Sequence, residues 1–290
     1  MKRIDKVHLT TFRNGSKTYF NSSLFFPEDV RRDVFTLYGF VRVADDFVDD
    51  VPQDRVGFRS FVDRYRVMRS GRSSGDLIID SFGELMERRE FDPAWVDSFI
   101  ASMEMDLSRN AYDSIEELLA YIDGSAEVIG LMMAKLLELP EVSYPYARML
   151  GRAMQHINFI RDISEDRELG RRYLPMVGSG LECLDSLEAG VKPEKFRSFI
   201  RGEIDRYRNW QREAERGFRF IPRRYLVPIK TASDMYKWTA DQIAHDPFIV
   251  FRRKVKPTKV TILSTLIANT LSGRTNDYGS GSQRAARSTA

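Results

Sequence analysis

Cysteine is nearly missing from this chain. Cys183 is the only one in 290 residues, which excludes an internal disulfide and any multi-cysteine metal centre and fits a reducing compartment. Histidine is almost as scarce, with His8, His156 and His245 too far apart to form a metal-ligand pair, so His156 reads as a packed or hydrogen-bonded side chain. Charge of one sign is missing too. The 45 Lys+Arg stand against 42 Asp+Glu for a net of +3, dispersed along the chain, and no nucleic-acid partner is expected. Long apolar runs are also lacking. Residues 260–271 form the longest late one, interrupted by Thr, Ser and Asn and short of the roughly 20 residues that span a bilayer. That run reads as a core or edge helix, with a helix resting on a membrane as the alternative. Met1-Lys2-Arg3-Ile4-Asp5-Lys6 carries charge but no apolar stretch of signal-peptide length. The expectation is therefore a cytoplasmic protein, with peripheral membrane contact left open. No Walker loop, dinucleotide-binding glycine pattern or Ser-His-Asp arrangement is present to support a kinase, Rossmann oxidoreductase or hydrolase reading.

What the chain does have is helical periodicity. With 42% hydrophobic and 12% aromatic residues it can build a substantial core, and no alternating strand pattern or two-residue hairpin turn interrupts it. The fold expected is all-α, a single domain over residues 1–271, followed by a Gly/Ser/Arg/Ala-rich tail, 272–290, expected to be disordered. Pro27-Glu28-Asp29 makes a helix first turn, opening a helix that ends near Asp50. Asp92-Pro93 starts another, and Asp113-Ser114-Ile115-Glu116-Glu117 offers an N-cap and a nearby acid for a third. Further helices are expected over 144–168, from Pro193 to Trp210 or Phe218, and over 231–244, with loops at 70–75 and 177–180.

Two acidic runs stand out: Asp45-Asp46-Phe47-Val48-Asp49 and Asp162-Ile163-Ser164-Glu165-Asp166. In the first helix Tyr38, Arg42, Asp45 and Asp49 follow one another at four, three and four residues, a spacing that puts them on one face. Gln155, Asn158, Asp162 and Asp166 do the same later, with Arg161 and Glu165 beside the line. Core leucines normally hold that spacing, so each stripe must line a polar cavity or face water. Taken alone, either run reads as a solvated acidic face. Together, oxygen-only ligands at four-residue spacing suit magnesium, a hard ion bound by one or two carboxylates along with substrate phosphates. Several such ions would offset the charge of a diphosphate leaving group, and the allylic cation formed would need a dry, aromatic pocket.

The residues Tyr38-Gly39-Phe40-Val41-Arg42-Val43-Ala44-Asp45-Asp46-Phe47-Val48-Asp49 resemble the first signature of squalene and phytoene synthases. The stretch from Asn158 through Asp166, running on to Gly170-Arg171-Arg172-Tyr173-Leu174-Pro175, resembles the second. The likeness runs in order over most of the chain. It implies an isoprenoid-synthase bundle around a central cavity that joins two prenyl diphosphates head to head through a cyclopropyl diphosphate. It further implies Asp45, Asp49, Asn158, Asp162 and Asp166 as ligands of magnesium, several ions, with manganese a substitute. Ser16, Lys17, Arg42, Arg161, Arg171 and Arg253 are implied at the diphosphates, and Tyr38, Arg42, Tyr173 and Tyr236 as catalytic residues.

The middle segment Tyr121-Ile122-Asp123-Gly124-Ser125-Ala126-Glu127 departs from the commoner pattern, with acids and small residues that allow a substrate chain or a neighbouring helix to come close. Asp106 resembles another acidic family position and reads equally as a surface charge. The late segment 251–259 is similar to carotenoid-type members. The expected product is phytoene from two geranylgeranyl diphosphates, without NADPH. Squalene or dehydrosqualene from farnesyl diphosphate is the alternative, and a non-catalytic relative of the fold comes third. Oligomeric state stays open.

Overall fold

Side-chain caps set several of the helix starts. Asp54 accepts from the Gly57 amide, Asp76 from Ile78 and Ile79, Asp92 from Ala94 and Ser114 from Glu117, each satisfying a donor that the first helical turn leaves unpaired. The computed structural model describes Ser23 and residues 26–276, with side chains through Leu271. Ser16 and Lys17 lie outside the described residues, as do residues 277–290.

The first helix, α1 (Glu28–Asp49), ends where the sequence placed it, and α2 (Arg55–Arg69), α3 (Leu77–Arg88) and α4 (Pro93–Ser108) pack around it. Phe40 of α1 is stacked on Phe82 of α3, ring centres 3.9 Å apart. Next come α5 (Ile115–Ile122), a π-helical turn at Asp123–Glu127 and α6 (Val128–Leu136), nearly continuous with one another. The long α7 (Tyr144–Arg161) crosses the middle of the bundle, flanked by α6 and by α10 (Pro193–Glu215), with the short α8 (Ile163–Glu168) and α9 (Ser186–Val191) between. Last are α11 (Arg223–His245), α12 (Ile249–Arg252) and α13 (Lys259–Asn276). Among the described residues there is no strand, only an isolated bridge between Ala111 and Arg172.

Three boundaries differ from the sequence reading. The helix expected over 144–168 breaks at Asp162, whose φ of −99° and ψ of 14° end α7 and start α8. Neighbouring side chains on an unbroken helix splay apart, and this break lets Arg161 and Asp162 meet. The helix expected from residue 231 begins at Arg223, because Pro228 falls early enough in α11 for the helix to lose one backbone bond and continue. Finally, α13 runs through Asn276, five residues into the segment expected as tail.

The apolar side chains form two clusters. One gathers α1 to α4 and α6, and the other gathers α5, α7, α8, α10, α11 and α12. Close approach joins them: a side chain at Gly124 would come within 2.2 Å of the Ser98 carbonyl on α4, so only glycine lets the π turn sit there.

Candidate active site

Both acidic stripes face one cavity. Its volume is about 400 Å³, and its wall holds Tyr38, Arg42, Asp45 and Asp49 from α1 opposite Gln155, Asn158, Arg161, Asp162 and Asp166 around the end of α7. Tyr236 enters from α11, and Arg171 and Tyr173 from the segment after α8. That segment is held by two backbone bonds, Arg172 N–H to the Asn110 carbonyl at 2.8 Å and Tyr112 N–H to the Arg172 carbonyl at 3.2 Å. Phe159 stacks on the Tyr173 ring at 4.3 Å and fixes its plane.

The charges in this wall are largely matched to one another. Arg42 donates to Asp45 at 2.9 Å and also pairs with Asp46. Arg171 reaches Asp49 at 2.6 Å and the Val48 carbonyl. Arg161 Nε donates to Asp162 at 2.8 Å, and Lys254 lies 3.3 Å from the same carboxylate while pairing with Glu165. Burial opposes ionisation of Asp162, but the bonds and charges of Arg161 and Lys254 outweigh it and hold that carboxyl below its usual range. Asp45 goes the other way, pushed up by burial and by the nearby Asp49 against the opposing charge of Arg42. Asp166 makes no ion pair like those of its neighbours; burial, with Asp162 and Asp49 close by, outweighs the charge of Arg171 and pushes its carboxyl well up.

Asp106, which the sequence left between surface and site, belongs to the site. It is 3% exposed, accepts from the Tyr121 hydroxyl at 2.6 Å and from the Tyr173 hydroxyl at 2.8 Å, and burial pushes it up to about 6. A signal for this was present. Val96, Phe99, Ile100, Met103 and Asp106 repeat at helical spacing along the buried face of α4, so the carboxylate occupies a core position. Burial and the Asp106 charge raise both tyrosine hydroxyls well above their usual range, so they remain protonated donors.

Arg253 is not brought to the cavity. It is exposed, and Lys254 and Lys256 line the wall instead. Past α12 the backbone is extended at Arg253 (φ −165°, ψ 152°), where successive side chains point to opposite sides, so 254 and 256 share the cavity side while Val255 is buried. Asp123 and Glu127 also stay out of the cavity wall. Glu127 is 1% exposed and binds Arg148 at 3.0 Å and Arg152 at 2.6 Å, and Asp123 pairs with Arg148, tying the π turn to α7. His156 is buried beside Trp210 with its Nε2 2.9 Å from Glu203, the packing role expected of it.

A second cavity of about 310 Å³ adjoins the first, sharing Tyr38, Val41, Ser125, Gln155 and Asn158 in its wall. Among the described residues it carries no charged side chain. Gly130, Ala134, Ala147, Gly151 and Ala232 keep it open, and Tyr146 and Phe218 add aromatic faces. Asn158 and Tyr146 lie twelve residues apart on α7, so this wall extends roughly 18 Å at ~1.5 Å per residue. At the junction, Ser125 Oγ and Asn158 Oδ1 are buried without a hydrogen-bond partner. Buried polar atoms are rarely left so, and these two face the space a ligand would occupy.

For a divalent ion the donor set is chemically suitable: carboxylate oxygens at Asp45, Asp49, Asp162 and Asp166 and the orphaned amide oxygen of Asn158. Among the described residues no three acidic, histidine or cysteine side chains are already gathered to hold a metal ion. An ion of this kind takes the rest of its shell from water and phosphate.

Residues 12–261 match the family model for squalene/phytoene synthase. The chain is 32% identical over 274 residues to a 15-cis-phytoene synthase from Synechocystis, covering 87% of this chain and 80% of the relative. It is 26% identical to phytoene synthase 2 of Solanum lycopersicum, covering 88% and 87%. Among solved structures, a dehydrosqualene synthase in complex with a ligand superposes with a TM-score of 0.83 at 18% identity over 94% of this chain and 97% of that one. A squalene synthase from Alicyclobacillus acidocaldarius gives 0.75 at 21% identity over 84% and 94%. The structural likenesses establish the all-α terpenoid-synthase fold. With the family match spanning most of its length and both acidic signatures facing one cavity, the chain belongs to the squalene/phytoene synthase family of prenyltransferases.

Proposed function

We propose that the protein joins two geranylgeranyl diphosphates head to head, through a cyclopropyl diphosphate intermediate, to give phytoene and released diphosphate. The observation that carries this reading is the juxtaposition of two cavities: a polar one with both acidic stripes, adjoining an uncharged one walled by roughly 18 Å of α7. The identity to phytoene synthases supports the longer substrate. Asp45, Asp49, Asn158, Asp162 and Asp166 would hold magnesium, or manganese in its place, which when bound supplies positive charge against the leaving diphosphate.

The chain's own residues do the rest. Arg42, Arg161, Arg171, Lys254 and Lys256 place five cations in the wall, and the charge-assisted bonds of the first four shift from carboxylate to phosphate oxygens as substrate enters. Each prenyl tail takes apolar surface, keeping water from the allylic cation. Tyr173 and Tyr121, held protonated, donate rather than accept. The final proton then goes to a stronger base, the released diphosphate being the nearest candidate, and no NADPH enters. Two of the implied diphosphate residues, Ser16 and Lys17, extend this proposal beyond the described residues.

Incubation of purified protein with magnesium and either geranylgeranyl or farnesyl diphosphate, followed by identification of the extracted hydrocarbon, tests the reading. A forty-carbon product from geranylgeranyl diphosphate, unchanged by NADPH, is expected. A thirty-carbon product alone, or one whose central bond becomes saturated when NADPH is added, overturns it in favour of squalene-type chemistry. No product, with no magnesium-linked binding of diphosphate, marks a scaffold.

A further inference from the structure

The π turn at Asp123–Glu127 is held more firmly than a link between two helices requires. From α4, the Ser98 hydroxyl donates to Asp123 at 3.2 Å and the Ser102 hydroxyl to the Tyr121 carbonyl at 3.0 Å. From α7, Arg148 and Arg152 grip Glu127, and a side chain at Gly151 would come within 2.3 Å of the Ala126 carbonyl. The turn is thus fixed against both neighbours. A turn of this class interrupts the ordinary helical repeat, and such turns concentrate at functional sites. Its middle residue, Ser125, stands in the wall of both cavities.

A helical serine ordinarily returns its hydroxyl to a carbonyl one turn back, as Ser81 on α3 does to Leu77 at 2.6 Å. Ser125 makes no such bond, and its Oγ is buried without a partner. Across the junction, Asn158 Nδ2 lies 3.5 Å from Gln155 Oε1, and the Asn158 Oδ1 is the second orphan. The two are of different kinds. An amide oxygen suits a cation, whereas a hydroxyl can donate to an anionic oxygen. Substrate phosphate beside a bound cation would satisfy both. A neutral donor also fits this place, because a lysine or arginine here would set fixed positive charge at the mouth of the tail cavity, where the allylic carbon becomes cationic. On the reading of the cavity pair as a prenyl diphosphate site, we propose that Ser125 is a further substrate-binding residue. Its hydroxyl donates to a phosphate oxygen at the point where the head-group cavity opens into the tail cavity.

The test compares Ser125→Ala and Ser125→Cys with the wild type, first alone and then with ligand. Because the hydroxyl has no partner within the fold, Ser125→Ala alone should melt at the wild-type temperature or above it by circular dichroism. In titration calorimetry with magnesium and inorganic diphosphate, the same variant should bind ~10-fold or more weakly, as expected for one hydrogen bond to a charged acceptor. Ser125→Cys keeps nearly the same volume with only a weak donor, so it should follow alanine. Equal binding by wild type and Ser125→Ala overturns the role of Ser125 and leaves the diphosphate site standing, and full affinity in Ser125→Cys does the same. A clear drop in the melting temperature of Ser125→Ala alone also overturns it, since the hydroxyl would then serve the fold. Wild-type protein that binds no diphosphate with magnesium overturns both the role of Ser125 and the reading of the site beneath it.

Discussion

Among the described residues the polar cavity is walled by six carboxylates and five cations, while its neighbour, of similar volume and sharing five wall residues with it, has no charged side chain. The polar wall can afford that density of charge because its members neutralise one another in pairs, Arg42 with Asp45, Arg171 with Asp49 and Arg161 with Asp162. Asp166 and the Asn158 amide oxygen are left over, and both sit where a cation would complete the balance. The apolar wall follows the opposite rule: small residues on α6 and α7 hold space open where large ones would fill it. In the proposed reaction two chemistries would thereby be kept apart, with head-group charge handled on one side of Asn158 and tail length measured on the other.

Substitutions at five positions sharpen or break this division. Removing one metal-binding charge should have the largest effect: Asp45→Asn or Asp162→Asn is expected to lower kcat by ~10²–10³-fold or more with unchanged helical content by circular dichroism. Near-wild-type rates in either variant would remove the two-stripe site from the account. Arg42 comes next. Its two guanidinium nitrogens hold Asp45 and Asp46 separately, a fork that lysine cannot reproduce. Arg42→Ala is expected to lose ~100-fold and Arg42→Lys to remain ~10-fold or more below wild type. Full recovery by lysine in steady-state kinetics would mean that a point charge suffices.

On the apolar side, Leu150 lies about two-thirds of the way along the α7 wall from Asn158. Leu150→Trp should reduce kcat/KM for geranylgeranyl diphosphate by ~10-fold while changing farnesyl diphosphate less, if this cavity measures length. An equal loss for both substrates would assign the cavity another role. The last effect is on stability rather than turnover and concerns Asp106. Its carboxyl is at about 6 in the folded protein and near ~3.9 unfolded, so the folded state keeps the proton longer and stability falls as pH rises between those values. Asparagine has no proton to lose. Compared with wild type, Asp106→Asn should therefore gain on the order of 2 kcal/mol from pH 4 to pH 7 in denaturant titrations, whatever its offset at pH 4. A flat difference would mean that Asp106 ionises freely.

The sequence made the first stripe fully legible, since α1 is an unbroken helix and Tyr38, Arg42, Asp45 and Asp49 keep its period from first to last. The second stripe reached the right cavity despite the break at Asp162, because the first turn of α8 continues the line closely enough for Asp166 to stay in the wall. Local pattern was insufficient elsewhere. The choice of Lys254 and Lys256 over Arg253 depends on where α12 gives way to extended chain, and Arg252-Arg253-Lys254 offers no such mark. Ser125 comes to the junction of the cavities through the π turn, which adds a residue to the local repeat and so escapes a reading at 3.6 residues per turn. Asp106 was readable in hindsight of its register on α4 alone, without any partner in view.

Titration calorimetry of inorganic diphosphate tests the division of labour most directly, because this ligand has a head and no tail. The account predicts binding that requires magnesium, is lost in both Asp45→Asn and Asp162→Asn, and is unchanged in Leu150→Trp. Binding without magnesium, or binding that survives both aspartate substitutions, would contradict it.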